Sequence, residues 1–171
     1  EMQPVLLELM KVIRQTKESE IINPLETYKT IGWIMQTLSD YPEADYYLKR
    51  ALKYCKPESV NYAAILDNYG INLYKTRRYQ EALKQFHKSG LIALKINDSL
   101  RYAKTLGNKA LVYEEQNKYA EAIQLLKEDI ALSERLKESK NKMFASIALA
   151  RIYLKNNNLS DAQAILTEAE K

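Results

Sequence analysis

NKYAEAIQLL, residues Asn117 to Leu126, puts a small residue, Ala122, just before an apolar run where a larger side chain would bury more surface. The same wording returns along the chain. Asp40-Tyr41-Pro42-Glu43-Ala44, Arg78-Tyr79-Gln80-Glu81-Ala82 and Asn158-Leu159-Ser160-Asp161-Ala162 all align with Lys118-Tyr119-Ala120-Glu121-Ala122, and the four alanines are 38, 40 and 40 residues apart. The register extends both ways. Twelve residues earlier stand Gly32, Gly70, Ala110 and Ala150, and four residues later Leu48, Phe86, Leu126 and Leu166. Three further on come Ala51, Ser89, Asp129 and Ala169, of which only Asp129 is not small. A period of this length marks an array of supersecondary units.

Each unit reads as two helices. Leu106, Ala110 and Tyr113 step by four and three, as do Ala122, Leu126 and Ile130 by fours, so each set keeps one helical face. Polar breaks separate the helices within units at Thr37–Asp40, Lys75–Arg78, Glu115–Lys118 and Lys155–Asn158. Breaks between units fall at Lys56-Pro57-Glu58-Ser59, Asn97-Asp98-Ser99 and Glu138-Ser139-Lys140-Asn141, with Ser59 and Asp98 or Ser99 as N-caps. The expected organisation is an N-terminal segment, 1–22, followed by four units at about 23–57, 58–97, 98–138 and 139–171. A helix is expected from about Pro4 to Glu18, with Leu6, Leu9, Met10 and Ile13 on its apolar face. It is read as the second helix of an incomplete preceding unit, with an unrelated cap as the alternative. The last helix, ending at Lys171, is shorter than its equivalents, and the natural chain is expected to continue.

These offsets resemble the tetratricopeptide repeat. Gly32 and Gly70 match the small site of the first helix, Ala44, Ala82, Ala122 and Ala162 that of the second, and Tyr41, Tyr79 and Tyr119 the aromatic site at the turn. The family's usual period is roughly 34 residues, so the longer units here must lengthen either the helices or the turns between units. They are similar to the arrays of bacterial sensory and regulatory proteins. The resemblance implies an all-α fold: an α-solenoid, a right-handed superhelix of about four helix pairs plus an extra N-terminal helix. It also implies a non-catalytic scaffold for a protein or peptide, in a fragment of a regulatory or signalling protein. The alternative is a peptide-sensing receptor domain of a bacterial transcriptional regulator or sensor kinase.

Composition agrees with an all-helical chain and excludes several other functions. With four Gly, four Pro and 46% apolar residues among 171, the chain is rich in helix formers. The net charge of +4 is spread out, and the densest basic piece, Lys75-Thr76-Arg77-Arg78, falls in a turn, so no nucleic-acid partner is expected. No apolar run suffices for a membrane span, and no membrane contact is expected. Cys55, the one cysteine, cannot form an intrachain disulfide and is read as a packed hydrophobe. The compartment stays open between the cytoplasm and an extracytoplasmic ectodomain of a membrane sensor. Two copies could pair through exposed solenoid ends.

No catalytic site, metal or cofactor is expected. Glu43, Glu81, Glu121 and Asp161 recur one unit apart, whereas an active site needs groups that converge; in the first turn of a helix such charges favour the helix dipole. His87, the one histidine, and Cys55 do not make a zinc site. The partner is instead expected on the first helices, in a concave groove placed by helical phase from the small residues. That face collects Lys29, Trp33 and Gln36, then Asp67, Ile71 and Tyr74, then Lys104, Leu111 and Glu114, then Ile147, Arg151 and Leu154. The alternative for Trp33 is packing under the N-terminal helix. Lys29 resembles one lysine of the carboxylate clamps of chaperone-binding relatives, but Trp33 stands where such clamps carry asparagine. Asp129 is expected to turn toward solvent while Ile130 takes the core, or else to be a buried acid that needs a partner such as Lys109 or Lys142.

Overall fold

The computed structural model describes residues 2–169, with the side chains of residues 2–4, 6, 7 and 9 left out. The contacts expected of Leu6 and Leu9, and the helix end expected at Lys171, therefore lie outside the described residues. No strand occurs among those described. The helices are α1 (Met2–Gln15), α2 (Pro24–Thr37), α3 (Tyr41–Tyr54), α4 (Val60–Lys75), α5 (Tyr79–Lys95), α6 (Ser99–Glu115), α7 (Tyr119–Arg135), α8 (Ser139–Lys155) and α9 (Leu159–Ala169). This is an all-α, tetratricopeptide-like arrangement of sequentially packed helices.

The turns explain the long period. The residue after the C-cap is left-handed at Ser39, Arg77, Asn97, Asn117, Lys137 and Asn157, with φ between 56 and 63°. The following N–H reaches back five residues: Asp40 to the Met35 carbonyl, Arg78 to Leu73 and Asp98 to Ala93, each at 2.8 Å, then Lys118 to Tyr113, Glu138 to Ser133 and Asn158 to Tyr153, each at 2.9 Å. That bond closes a Schellman motif, whose left-handed position suits asparagine. Four turns within units and two between them thus share one geometry, and the extra residues go into the helices; the break after α3 differs, with Cys55 extended at the C-cap and Glu58 left-handed. From α5 to α8 each is 17 residues long.

Capping sets several starts. Ser59 Oγ accepts from the Tyr62 N–H at 3.2 Å, and Asp98 Oδ1 accepts from the Arg101 N–H at 3.0 Å. Asp98 is the cap and Ser99 the first helical residue. The expected break at Glu138–Asn141 is shorter than read, because α8 already starts at Ser139. The expected N-terminal helix ends early, at Gln15, and a 3₁₀ turn occupies Glu18–Glu20.

Two compact units result, residues 1–55 and 56–171. In the first, α2 and α3 pack together over buried Ala44, Tyr47, Leu48 and Ala51. The Arg50 guanidinium lies 4.9 Å from the Tyr28 ring centre and 5.3 Å from that of Tyr46, and pairs with Glu18 at 2.8 Å. Arg14 of α1 pairs with Glu43 of α3 at 2.5 Å.

In the second unit, α4 to α9 pack consecutively, and the first helices also touch, α4 on α6 and α6 on α8. Ala82, Ala122 and Ala162 are essentially fully buried. Their size lets helix axes approach closely. Gly70 shows how tight this is, since an added Cβ would fall on the Phe86 ring. Leu126, Ala110, Ala122, Leu149 and Ile152 form a shared core across α6, α7 and α8. Leu166 departs from its buried equivalents and is exposed, with no described helix after α9 to cover it.

Candidate functional site

The first helices of the second unit carry a groove of about 580 Å³ over α4, α6 and α8, with Leu126 and Asp129 of α7 in its lining. Its apolar part is Ile71 of α4, Leu111 of α6, and Phe144 and Ile147 of α8. Phe144 and Ile147 are 57% and 46% exposed, and with Ile71 and Leu111 they make an apolar stretch in the groove. Its polar part includes Asn68, Lys104, Asn108 and Arg151, together with two buried carboxylates, Asp67 and Asp129.

Asp67 sits on α4 and is 6% exposed. Arg101 of α6 donates to its Oδ2 at 3.1 Å and Thr105 to its Oδ1 at 3.3 Å. Burial pushes its carboxyl up, and Ser89, Arg101 and Thr105 offset part of that rise. The bond to Arg101 ties the helix of one pair to that of the next.

Asp129 sits on α7 and is 2% exposed. It does not turn to solvent: it is the buried acid of the alternative reading, but its partners are Asn141 and Ser133 rather than a lysine. Asn141 Nδ2 donates to its Oδ1 at 2.7 Å and Ser133 Oγ to the same oxygen at 3.0 Å, and Asn141 also donates to Ser133 Oγ at 2.7 Å. Burial pushes the carboxyl up, the bonds from Ser133 and Asn141 reverse only part of this, and it stands at about 6. Lys142 pairs instead with Glu134 at 3.2 Å. Lys109 faces another hollow, beside Phe86, His87 and Leu91. The carboxylate is accommodated because residue 107 is glycine: a Cβ there would stand 2.8 Å from Asp129 Oδ2.

Of the residues expected on the partner face, Asp67, Ile71, Lys104, Leu111, Ile147 and Arg151 come together in this groove. Tyr74, Glu114 and Leu154 lie outside its lining. Glu114 is 4% exposed, a correction to the exposed face assigned to it. Arg151 clamps it with Nε at 2.9 Å and Nη2 at 2.6 Å, and Lys155 adds a bond at 2.7 Å. Burial pushes the Glu114 carboxyl up, but the Arg151 and Lys155 bonds outweigh this and hold it below the ordinary range. The fork-shaped pairing makes Glu114 a tie between α6 and α8. Lys29, Trp33 and Gln36 belong to the first unit. Trp33 is 56% exposed, and Lys29 pairs with Glu26 at 2.7 Å.

Sequence reasoning missed Arg101, Asn108, Asn141 and Phe144. The repeat register contained one clue: Arg101 and Asn141 are 40 residues apart, at equivalent points of successive first helices.

A model of the tetratricopeptide repeat matches residues 61–135. No curated protein matches the chain. Among solved structures, the apo form of RapI is similar, with 22% identity and a TM-score of 0.83 over 98% of this chain and 48% of that one. BtubC from P. vanneervenii is 15% identical with a TM-score of 0.77, over 98% of this chain and 70% of that one. Aspartyl phosphate phosphatase F from Bacillus subtilis is 18% identical with a TM-score of 0.79, over 85% of this chain and 39% of that one. The chain thus spans about half the length of RapI. At these identities the likeness concerns the fold.

Proposed function

We propose that this chain, a tetratricopeptide repeat domain, is a non-catalytic scaffold within a regulatory or signalling protein, binding a peptide or an extended segment of a partner in the α4–α6–α8 groove. The observation that carries this is the exposed pair Phe144 and Ile147 lining one groove with Ile71 and Leu111, where the Asn108 carboxamide is also found. Apolar surface supplies affinity for side chains, and a few polar groups fix the ligand's orientation. Repeat units that contact only their neighbours suit this role, because they build an extended face from successive helices.

The test is selection from a displayed peptide library, followed by binding measurements on the enriched peptides. Ile147→Gln removes part of the apolar wall at an exposed position without adding charge, so the fold should survive it. We expect enriched peptides to lose at least tenfold in affinity. Unchanged affinity removes the groove from the proposal. Trp33, on the first unit, is proposed as a separate contact, and Trp33→Ala should weaken capture of a whole partner without affecting groove-selected peptides.

A further inference from the structure

Asp67 and Asp129 occupy comparable places in successive helix pairs, with one exchange. In the α4–α5 pair the acid is on the first helix and its second-helix neighbour is small, Ser89. In the α6–α7 pair the acid is on the second helix, and the first helix supplies Gly107 to make room. The next first helix then answers each acid from one register position. Arg101 answers Asp67 with a cation, whereas Asn141, 40 residues later, answers Asp129 with a neutral amide. Among the described residues no ion pair reaches Asp129.

A buried carboxylate without a cation is costly. Its position makes sense if the charge is met from outside. Asp129 lines the groove, and its Oδ2 lies over the bare Cα of Gly107, which lines the same groove. Oδ1 takes the bonds from Ser133 and Asn141. The flanking Leu111, Phe144 and Ile147 would hold the aliphatic stem of a long basic side chain.

We infer that Asp129, floored by Gly107 and oriented by Asn141 and Ser133, is a recognition site for a cationic group of the bound peptide. The peptide's cation takes the place at Asp129 that Arg101 takes at Asp67. The inference rests on the peptide-binding reading above and specifies the ligand: a peptide with a basic group beside apolar residues. That group is an ammonium or guanidinium, carried by a Lys or Arg side chain or by a free N-terminus.

The experiment is a positional-scanning library of pentapeptides, in N-acetylated and free-amine forms, selected on the wild-type chain and on Asp129→Asn. Asparagine keeps the shape of the side chain and the oxygen that accepts from Asn141 and Ser133, and melting curves verify the fold. The expected result is enrichment of Lys or Arg at one position, reduced at least tenfold on Asp129→Asn while apolar preferences elsewhere persist. If the acetylated library loses the enrichment, the cation is the N-terminal ammonium; if it keeps it, the cation is a side chain. Gly107→Ala, which crowds Oδ2, should reproduce the loss. Enrichment without a basic preference, or with one that Asp129→Asn leaves unchanged, overturns the inference and leaves the peptide reading standing. Absence of enrichment of any peptide overturns both.

Discussion

The two buried acids of the second unit differ in one respect that outweighs their similarity. Asp67 has an internal cation and Asp129 has none among the described residues, although the helices around them follow one repeat. The Asp67 cluster therefore acts as a structural tie between α4 and α6. The Asp129 cluster is a neutral-armed socket held between α7 and α8, with its carboxyl up at about 6. An array can thus reuse one backbone for mechanical joints and for recognition, by changing what the next helix offers.

The largest expected effect comes from making the first site resemble the second. Arg101→Asn removes the cation from a buried acid, and chemical denaturation at pH 7 should show a loss of about 3 kcal/mol. A loss near zero would mean that Arg101 is dispensable and the contrast is false.

Next comes the pH dependence of the second site. The folded Asp129 carboxyl titrates at about 6, against an ordinary value of 3.8, so the folded state binds the proton more tightly than the unfolded one. Its contribution to stability is fully present below about pH 4, is lost as pH rises to about 6, and stays lost above that. Asp129→Asn should remove this dependence, so the variant gains on the wild type from pH 4 to pH 7, by up to about 3 kcal/mol. Parallel stability–pH curves for the two chains would contradict the buried, uncompensated state.

Packing should be common to both regions. Ala82→Leu and Ala122→Leu each overpack a fully buried site, and each should cost on the order of 1–3 kcal/mol in thermal or chemical melts. Exposed Ala120→Leu should cost little. Unequal costs at 82 and 122 would show that the contrast extends from the acids into the core. The smallest effect concerns the turns. Arg77 holds a left-handed conformation that Asn117 holds one unit later. Arg77→Asn should stabilise by about 0.5 kcal/mol, because asparagine accepts that conformation more readily. A destabilisation would show that the arginine side chain supports its turn.

The helix pairs were legible because close approach forces small residues, and those recur at Gly70, Ala110 and Ala150 and at Ala82, Ala122 and Ala162. The groove was partly legible. Helical phase alone grouped Ile71, Leu111, Ile147 and Arg151, which line one groove in the structure. It misplaced Glu114, since phase does not reveal that Arg151 and Lys155 reach across from α8 to cover it. Asp129 stood out as a breach of the repeat, but its partners could not be read. Asn141 follows it by twelve residues and Gly107 precedes it by twenty-two, and only the folding back of α6 and α8 against α7 brings the three together.

The sequence by itself determined the helical class and the register of small residues, because those depend on contacts within a helix or between neighbours at a fixed spacing. Which acid receives a cation and which faces the groove without one was decided only in the tertiary structure. Charge compensation depends on side chains from three helices meeting at one point, and no single period records that meeting.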